Sequence, residues 1–163
     1  MLGTQLTIGV NISPLHAVVR GVGSALRMSA AAFNQEIDGS SAVRRVMGTH
    51  CYVHNTQLVA SAVCVRSHSI GPRLARWLLV LQDRAHGSTF YATQEFLAYM
   101  LGVRRQGITE AALAMQRSGL VSYRRGELTV LDRKGLENAA CDCYHTNRQL
   151  FEQLFGVHLF SVQ

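Results

Sequence analysis

The sequence predicts an α+β fold that is mainly α, and three observations carry that reading. Apolar residues recur at steps of three and four in several windows between residues 29 and 117, which is helical periodicity. Gly102 parts two of those windows by only a few residues, and alternation about Arg124-Arg125-Gly126 marks a hairpin directly after them. A length of 163 residues suits one average domain with an appendage, and 48% hydrophobic against 16% charged residues excludes wholesale disorder. The 2 prolines, Pro14 and Pro72, exclude collagen-like and proline-rich architectures. No run of about 18 apolar residues occurs that could span a bilayer. The start, MLGTQLTIGV, lacks the basic segment and unbroken apolar stretch of a secretory leader, so a cytoplasmic location is expected.

From Leu15 to Met28 the run LHAVVRGVGSALRM alternates loosely and predicts two short strands joined at Gly21-Val22-Gly23. Ser29 then caps a short helix with Phe33 and Ile37 on one face. Asp38-Gly39-Ser40-Ser41 breaks it, and the serines can cap a longer helix reaching about Arg66. Along that helix Met47, Cys51, His54, Leu58, Ser61 and Val65 recur at alternating steps of four and three, the seam of a helix that pairs with another. Its polar members argue against an autonomous zipper and for a dimerisation helix supported by flanking domains, the competing reading being an ordinary amphipathic helix. Ile70-Gly71-Pro72 is the expected hinge. After it, Leu74, Trp77, Leu78 and Leu81 define a helix that ends at His86-Gly87-Ser88.

The next segment carries the chemistry. Thr93 is a candidate N-cap for a short helix with Phe96, Leu97 and Met100 inward, and Leu101-Gly102-Val103 forms a turn. A second helix follows from about Arg104 to Arg117, burying Ile108, Ala112, Leu113 and Met115 while Arg105, Gln106 and Thr109 share the outward face. Two short helices joined through such a glycine are helix-turn-helix grammar, and the hairpin GLVSYRRGELTVLD makes it a winged one.

Charge points the same way. The chain holds 16 basic and 10 acidic residues, a net +6, and all the basic residues but Lys134 are arginine. Residues 104 to 125 hold Arg104, Arg105, Arg117, Arg124 and Arg125 against Glu110 alone. The planar guanidinium suits phosphates and guanine edges, so double-stranded DNA is the expected partner.

The stretches RLARWLL, TQEFLAYMLGVRRQGITEA and GLVSYRRGELTVLDRKGLE, from Arg73 to about Tyr144, resemble the C-terminal DNA-binding domain of the Crp-Fnr family of bacterial transcription regulators. The resemblance implies a homodimer reading a two-fold-related DNA site, with RNA polymerase as a further partner. Residues Leu15 to Ile37 resemble the last strands and helix of the family's cyclic-nucleotide-binding-like effector domain. The implied organisation is a truncated β-roll remnant over 1–38, a dimerisation helix over 39–70 and the winged helix-turn-helix over 71–163. Carried over by position, Arg105 and Gln106 stand where the family reads base edges, with Thr109 on the same face. Arg104, Arg124 and Arg125 are assigned to phosphate, and Thr93 joins the DNA-binding set. Glu110 departs from the family, standing where well-known members carry a second base-reading Arg. The family's nucleotide-phosphate cassette is missing, so no cyclic-nucleotide binding and no cofactor are expected.

Four cysteines, Cys51, Cys64, Cys141 and Cys143, are expected as reduced thiols. His50, Cys51 and His54 fall within one turn, and Cys141, Cys143 and His145 alternate, but neither set closes a four-ligand site, so packed thiols and no metal are expected. No catalytic triad order, H-E-x-x-H motif or P-loop occurs, so an enzyme is not expected. The tail LFEQLFGVHLFSVQ reads as a helix closing the core. The contrasting class of function is a dimeric protein-interaction or thiol- and metal-sensing module.

Overall fold

The computed structural model describes residues 1–19, 23–85 and 87–156, which divide into two units at residues 56 and 57.

In the first unit a short 3-10 turn, Thr4–Ile8, precedes helix α1, Ala30–Gly39. The Ser29 hydroxyl caps α1 by accepting from the Ala32 amide at 3.2 Å. Ser40 does the same for the next helix, accepting from Val43 at 3.3 Å. That helix, α2, is Ser41–Ser67, so its last residues belong to the second unit. The Arg44 guanidinium turns back to donate to the Ile37 carbonyl at 3.0 Å, satisfying an end group of α1.

The two strands expected between Leu15 and Met28 do not form among the described residues, and the centre of their turn, Gly21-Val22, lies outside them. The physical reason is the lack of a surface to cover: Leu15, Val18, Val19 and Leu26 are all at least 70% exposed. An isolated hairpin is marginal in water without a third strand or a helix beneath it.

The second unit holds the main core. Helix α3, Ile70–Ala85, buries Leu74, Ala75, Leu78 and Leu79 completely. Its start corrects the expected hinge. The break falls at His68-Ser69, and Ile70-Gly71-Pro72 forms the first turn of α3, where a proline's missing N–H costs nothing. Strand β1, Thr89–Tyr91, then leads to α4, Gln94–Leu101, and α5, Arg105–Arg117. Strands β2, Val121–Arg124, and β3, Glu127–Val130, follow, with α6, Arg133–Ala139, and α7, Cys143–Phe155, closing the unit. The sheet is antiparallel in the order β1-β3-β2, with Phe90 opposite Leu128 and Tyr123 opposite Leu128 on the other side.

Leu97, Leu101, Ile108, Val121, Leu128 and Leu136 complete this core, each at most 2% exposed. Two expected core positions face outward. Met100 is 36% exposed because α4 packs through Leu97, Ala98 and Leu101. Leu113 is 45% exposed because it lies three residues after Glu110 and seven after Gln106, on their stripe. The tail beyond Gly156 lies outside the described residues, whereas α7 reaches the core through the buried Tyr144.

Candidate nucleic-acid interface

Thr93 accepts from the Phe96 amide at 3.1 Å, so it acts as the N-cap of α4. Gly102, at φ 63°, takes the left-handed conformation that ends α4 and allows α5 to begin three residues later. The angle of that turn is held from beneath. Arg73, buried at 6% exposure, donates to the Leu101 carbonyl, placing a positive charge at the C-terminal end of α4, where the helix dipole is negative. From the same helix, Ile70 reaches so close to Gly107 that a Cβ there would stand 2.6 Å from its Cδ1.

The start of α5 is chemically open. Its N-cap residue, Arg104, makes no side-chain cap, and no acid occupies the first turn. Exposed amides at a helix N-terminus favour anions. Arg104, Arg105 and Gln106 are exposed around it. The Gln106 amide nitrogen donates to Glu110 Oε1 at 2.9 Å, which leaves the Gln106 carbonyl oxygen and the remaining carboxylate oxygen as an acceptor pair beside Arg105. Thr109, by contrast, donates to Gln94 Oε1 at 2.7 Å, so its hydroxyl bridges α5 to α4.

The hairpin carries the second cationic edge. Arg125 and Gly126 form its two-residue loop with φ of 53° and 86°, the signature of a type I′ turn. Arg124 and Arg125 are both exposed there. Tyr123 anchors the hairpin, its hydroxyl donating to the Ala92 carbonyl at 2.6 Å and its amide to Gln116 Oε1 on α5 at 2.9 Å. Burial, and then the neighbouring Tyr91, pushes the Tyr123 phenol above its ordinary value. An alanine at Gly126 would keep the positive φ at a cost of about 1–2 kcal/mol. Its Cβ would also stand 2.8 Å from the exposed Tyr91 ring, which can swing away. Urea unfolding of Gly126→Ala should show that loss, and an unchanged midpoint would mean the turn relaxes without strain.

Sequence reasoning missed four residues that shape this face: Arg73, Gln94, Gln116 and Tyr123. Arg73, Gln94 and Tyr123 act through contacts 15 to 31 residues away and Gln116 through one seven away, and the legible hints were an arginine inside an apolar stripe and a tyrosine beside an arginine turn.

The expected dimer seam has three members engaged within their own chain. Met47 is buried, the Cys51 thiol meets the Thr4 carbonyl at 3.6 Å, and Ser61 donates to the Gln57 carbonyl at 2.7 Å. His54, Leu58 and Val65 are exposed. Of the groups weighed as ligands, His145 Nε2 lies 3.3 Å from the Glu137 carbonyl and His50 stacks on His54 with ring centroids 6.5 Å apart, while Cys141 and Cys143 converge with Cys64 and His68, their donor atoms within 4.8 Å of one another. Among the described residues no helix is long and apolar enough to cross a membrane.

Residues 72–139 match the Crp-like helix-turn-helix domain family. The chain is similar in structure to a putative transcriptional regulator of the Crp/Fnr family from Eubacterium rectale, with a TM-score of 0.51 and 25% identity over 68% of this chain. It spans about half of that regulator's length, 51%. It also matches the Thermus thermophilus catabolite activator protein with a TM-score of 0.40 and 19% identity, over 72% of this chain and 48% of that one. No curated protein sequence matches it.

Proposed function

We propose, for a chain whose residues 72–139 form a Crp-like helix-turn-helix domain, that it is a sequence-specific DNA-binding transcription regulator acting as a homodimer on a two-fold-related site. The observation that carries this reading is the uncapped N-terminus of α5, flanked by Arg104 and Arg105 and followed by the arginine turn of the hairpin. An α-helix fits the major groove, where the guanidinium of Arg105 can bridge guanine O6 and N7. The acceptor pair of Gln106 and Glu110 suits bases that present an amino group there, cytosine or adenine. Arg104, Arg124 and Arg125 meet flanking phosphates, while Thr93 and Thr109 hold the two helices in position.

Residues 39–70 are assigned to dimerisation and 71–163 to DNA reading. The outward His54, Leu58 and Val65 would form the pairing surface on α2, and RNA polymerase is the partner through which a bound dimer would act. Sedimentation should give twice the mass of 17.9 kDa for the chain and the monomer mass for a Leu58→Glu, Val65→Glu variant.

The deciding experiment titrates duplex binding against salt. Each phosphate neutralised adds about 0.9 to the slope of log affinity on log salt. A steep slope with tighter binding to the promoter of its own gene than to random duplex is expected. Equal affinity for both at every salt concentration would overturn sequence-specific regulation.

A further inference from the structure

Away from the arginine face, the second unit gathers a compact set of metal-ligating side chains. Cys64 lies in the last turn of α2 and His68 just past its end, its amide donating to the Cys64 carbonyl at 3.1 Å, while Cys141 lies between α6 and α7 and Cys143 opens α7. Their donor atoms all lie within 4.8 Å of one another. Cys64 Sγ is 3.5 Å from Cys141 Sγ, and Cys143 Sγ is 3.8 Å from His68 Nδ1. We propose that Cys64, His68, Cys141 and Cys143 bind a single zinc ion in a closed tetrahedral site that ties the end of α2 to the corner between α6 and α7.

The geometry and the donor set both select this ion. Zinc bonds of about 2.3 Å to sulfur and about 2.0 Å to nitrogen put tetrahedral ligands roughly 3.5–3.8 Å apart. The 3.5 Å and 3.8 Å separations already match, and the widest needs to contract by about 1 Å. Thiolates with an imidazole suit zinc, whereas magnesium and calcium prefer oxygen. Four protein ligands leave no position for a substrate, which makes the site structural. Cys64 and Cys141 are buried while His68 and Cys143 are half-buried, so an ion can enter from the side of the latter pair.

Binding breaks three S–H bonds, forms three Zn–S bonds and one Zn–N bond, and releases three protons to solvent without electron transfer. The resulting centre carries a net charge of about −1. Arg76 is placed to offset it. One terminal nitrogen of its guanidinium donates to Ser61 Oγ at 2.7 Å, its buried Nε has no hydrogen-bond partner among the described residues, and its charge acts on Cys143. Arg76 is therefore a positioning residue for the centre.

The full chain purified without chelator is expected to contain about one zinc per molecule by elemental analysis. Cobalt added to the metal-free chain should give the visible bands of a tetrahedral thiolate site and compete with zinc. Cys64→Ser and Cys143→Ser should lose most of the metal, and Cys51→Ser and His145→Ala should keep it. Arg76→Met should weaken zinc about 10–100-fold while leaving the cobalt spectrum tetrahedral, as expected for a group outside the ligand shell. Far-UV circular dichroism separates failure to fold from failure to bind. A folded chain that takes up neither zinc nor cobalt overturns the proposal, as does a Cys64–Cys141 disulfide in freshly purified protein or an iron chromophore in place of zinc.

Discussion

Arg133→Met is expected to destabilise the second unit by about 3 kcal/mol, the lower end of the range for breaking a buried ion pair. Arg133 is a hub between three helices. Its guanidinium donates to Asp83 Oδ1 at 2.8 Å and Gln82 Oε1 at 2.9 Å on α3, to Glu137 at 3.0 Å on α6 and to the Tyr144 hydroxyl at 2.7 Å on α7. The Asp83 side chain is only 5% exposed, so removing the cation leaves a carboxylate that water cannot reach. The loss stays at the lower end because the Tyr144 hydroxyl still donates to Asp83 Oδ2 at 3.0 Å. Chemical denaturation would measure it, and adding Asp83→Asn should return part of the loss. If the double variant is no more stable than Arg133→Met, the stranded charge is not the cause.

The same cluster sets an alkaline limit. Burial, then the charge of Asp83, pushes the Tyr144 phenol up to about 12. A phenol that holds its proton more tightly when folded adds stability that is fully present below the unfolded value near 10 and is lost as pH rises towards 12. Tyr144→Phe should flatten this alkaline fall in the unfolding midpoint. A profile unchanged by the substitution would assign the fall to another group.

Arg105→Ala is expected to cost roughly 1–3 kcal/mol of specific DNA affinity and to relax preference at one base position, while Arg125→Ala should weaken all sequences alike and reduce the salt slope by about 1. The two arginines differ in what holds them. Arg105 sits in the first turn of α5, where a rigid helix can aim it at base edges. Arg125 sits in the loop of a hairpin, suited to a phosphate contact that carries no sequence information. Binding to a library of duplexes separates the two, and equal loss of preference in both variants would contradict the assignment.

Much of the helix-turn-helix and its hairpin was legible because their signals are local. A threonine cap, a glycine at the turn and two hairpin runs about an arginine-glycine loop each act within a few residues. Strand β1 was not legible, since three residues, Thr89–Tyr91, carry too little periodicity and become a strand only by pairing with β3. The alternation in Leu15–Met28 misled for the converse reason: its pattern is present but the surface it would cover is not. The Cys64, His68, Cys141 and Cys143 cluster depends on tertiary closure across more than 70 residues. Of its halves, the two cysteines two apart stood out as a spacing, whereas Cys64 and His68, four apart, were not paired.

The absence of a side chain at Gly107 leaves the packing beneath α5 to a single flexible chain end. Ile70 Cδ1 stands 2.6 Å from where a methyl would sit, so an alanine there needs only that chain end to turn aside, whereas a bulkier residue has to find room for itself beneath α5. On the proposed function, preference for one DNA sequence would then be tunable from beneath α5 as well as from the residues at its exposed start.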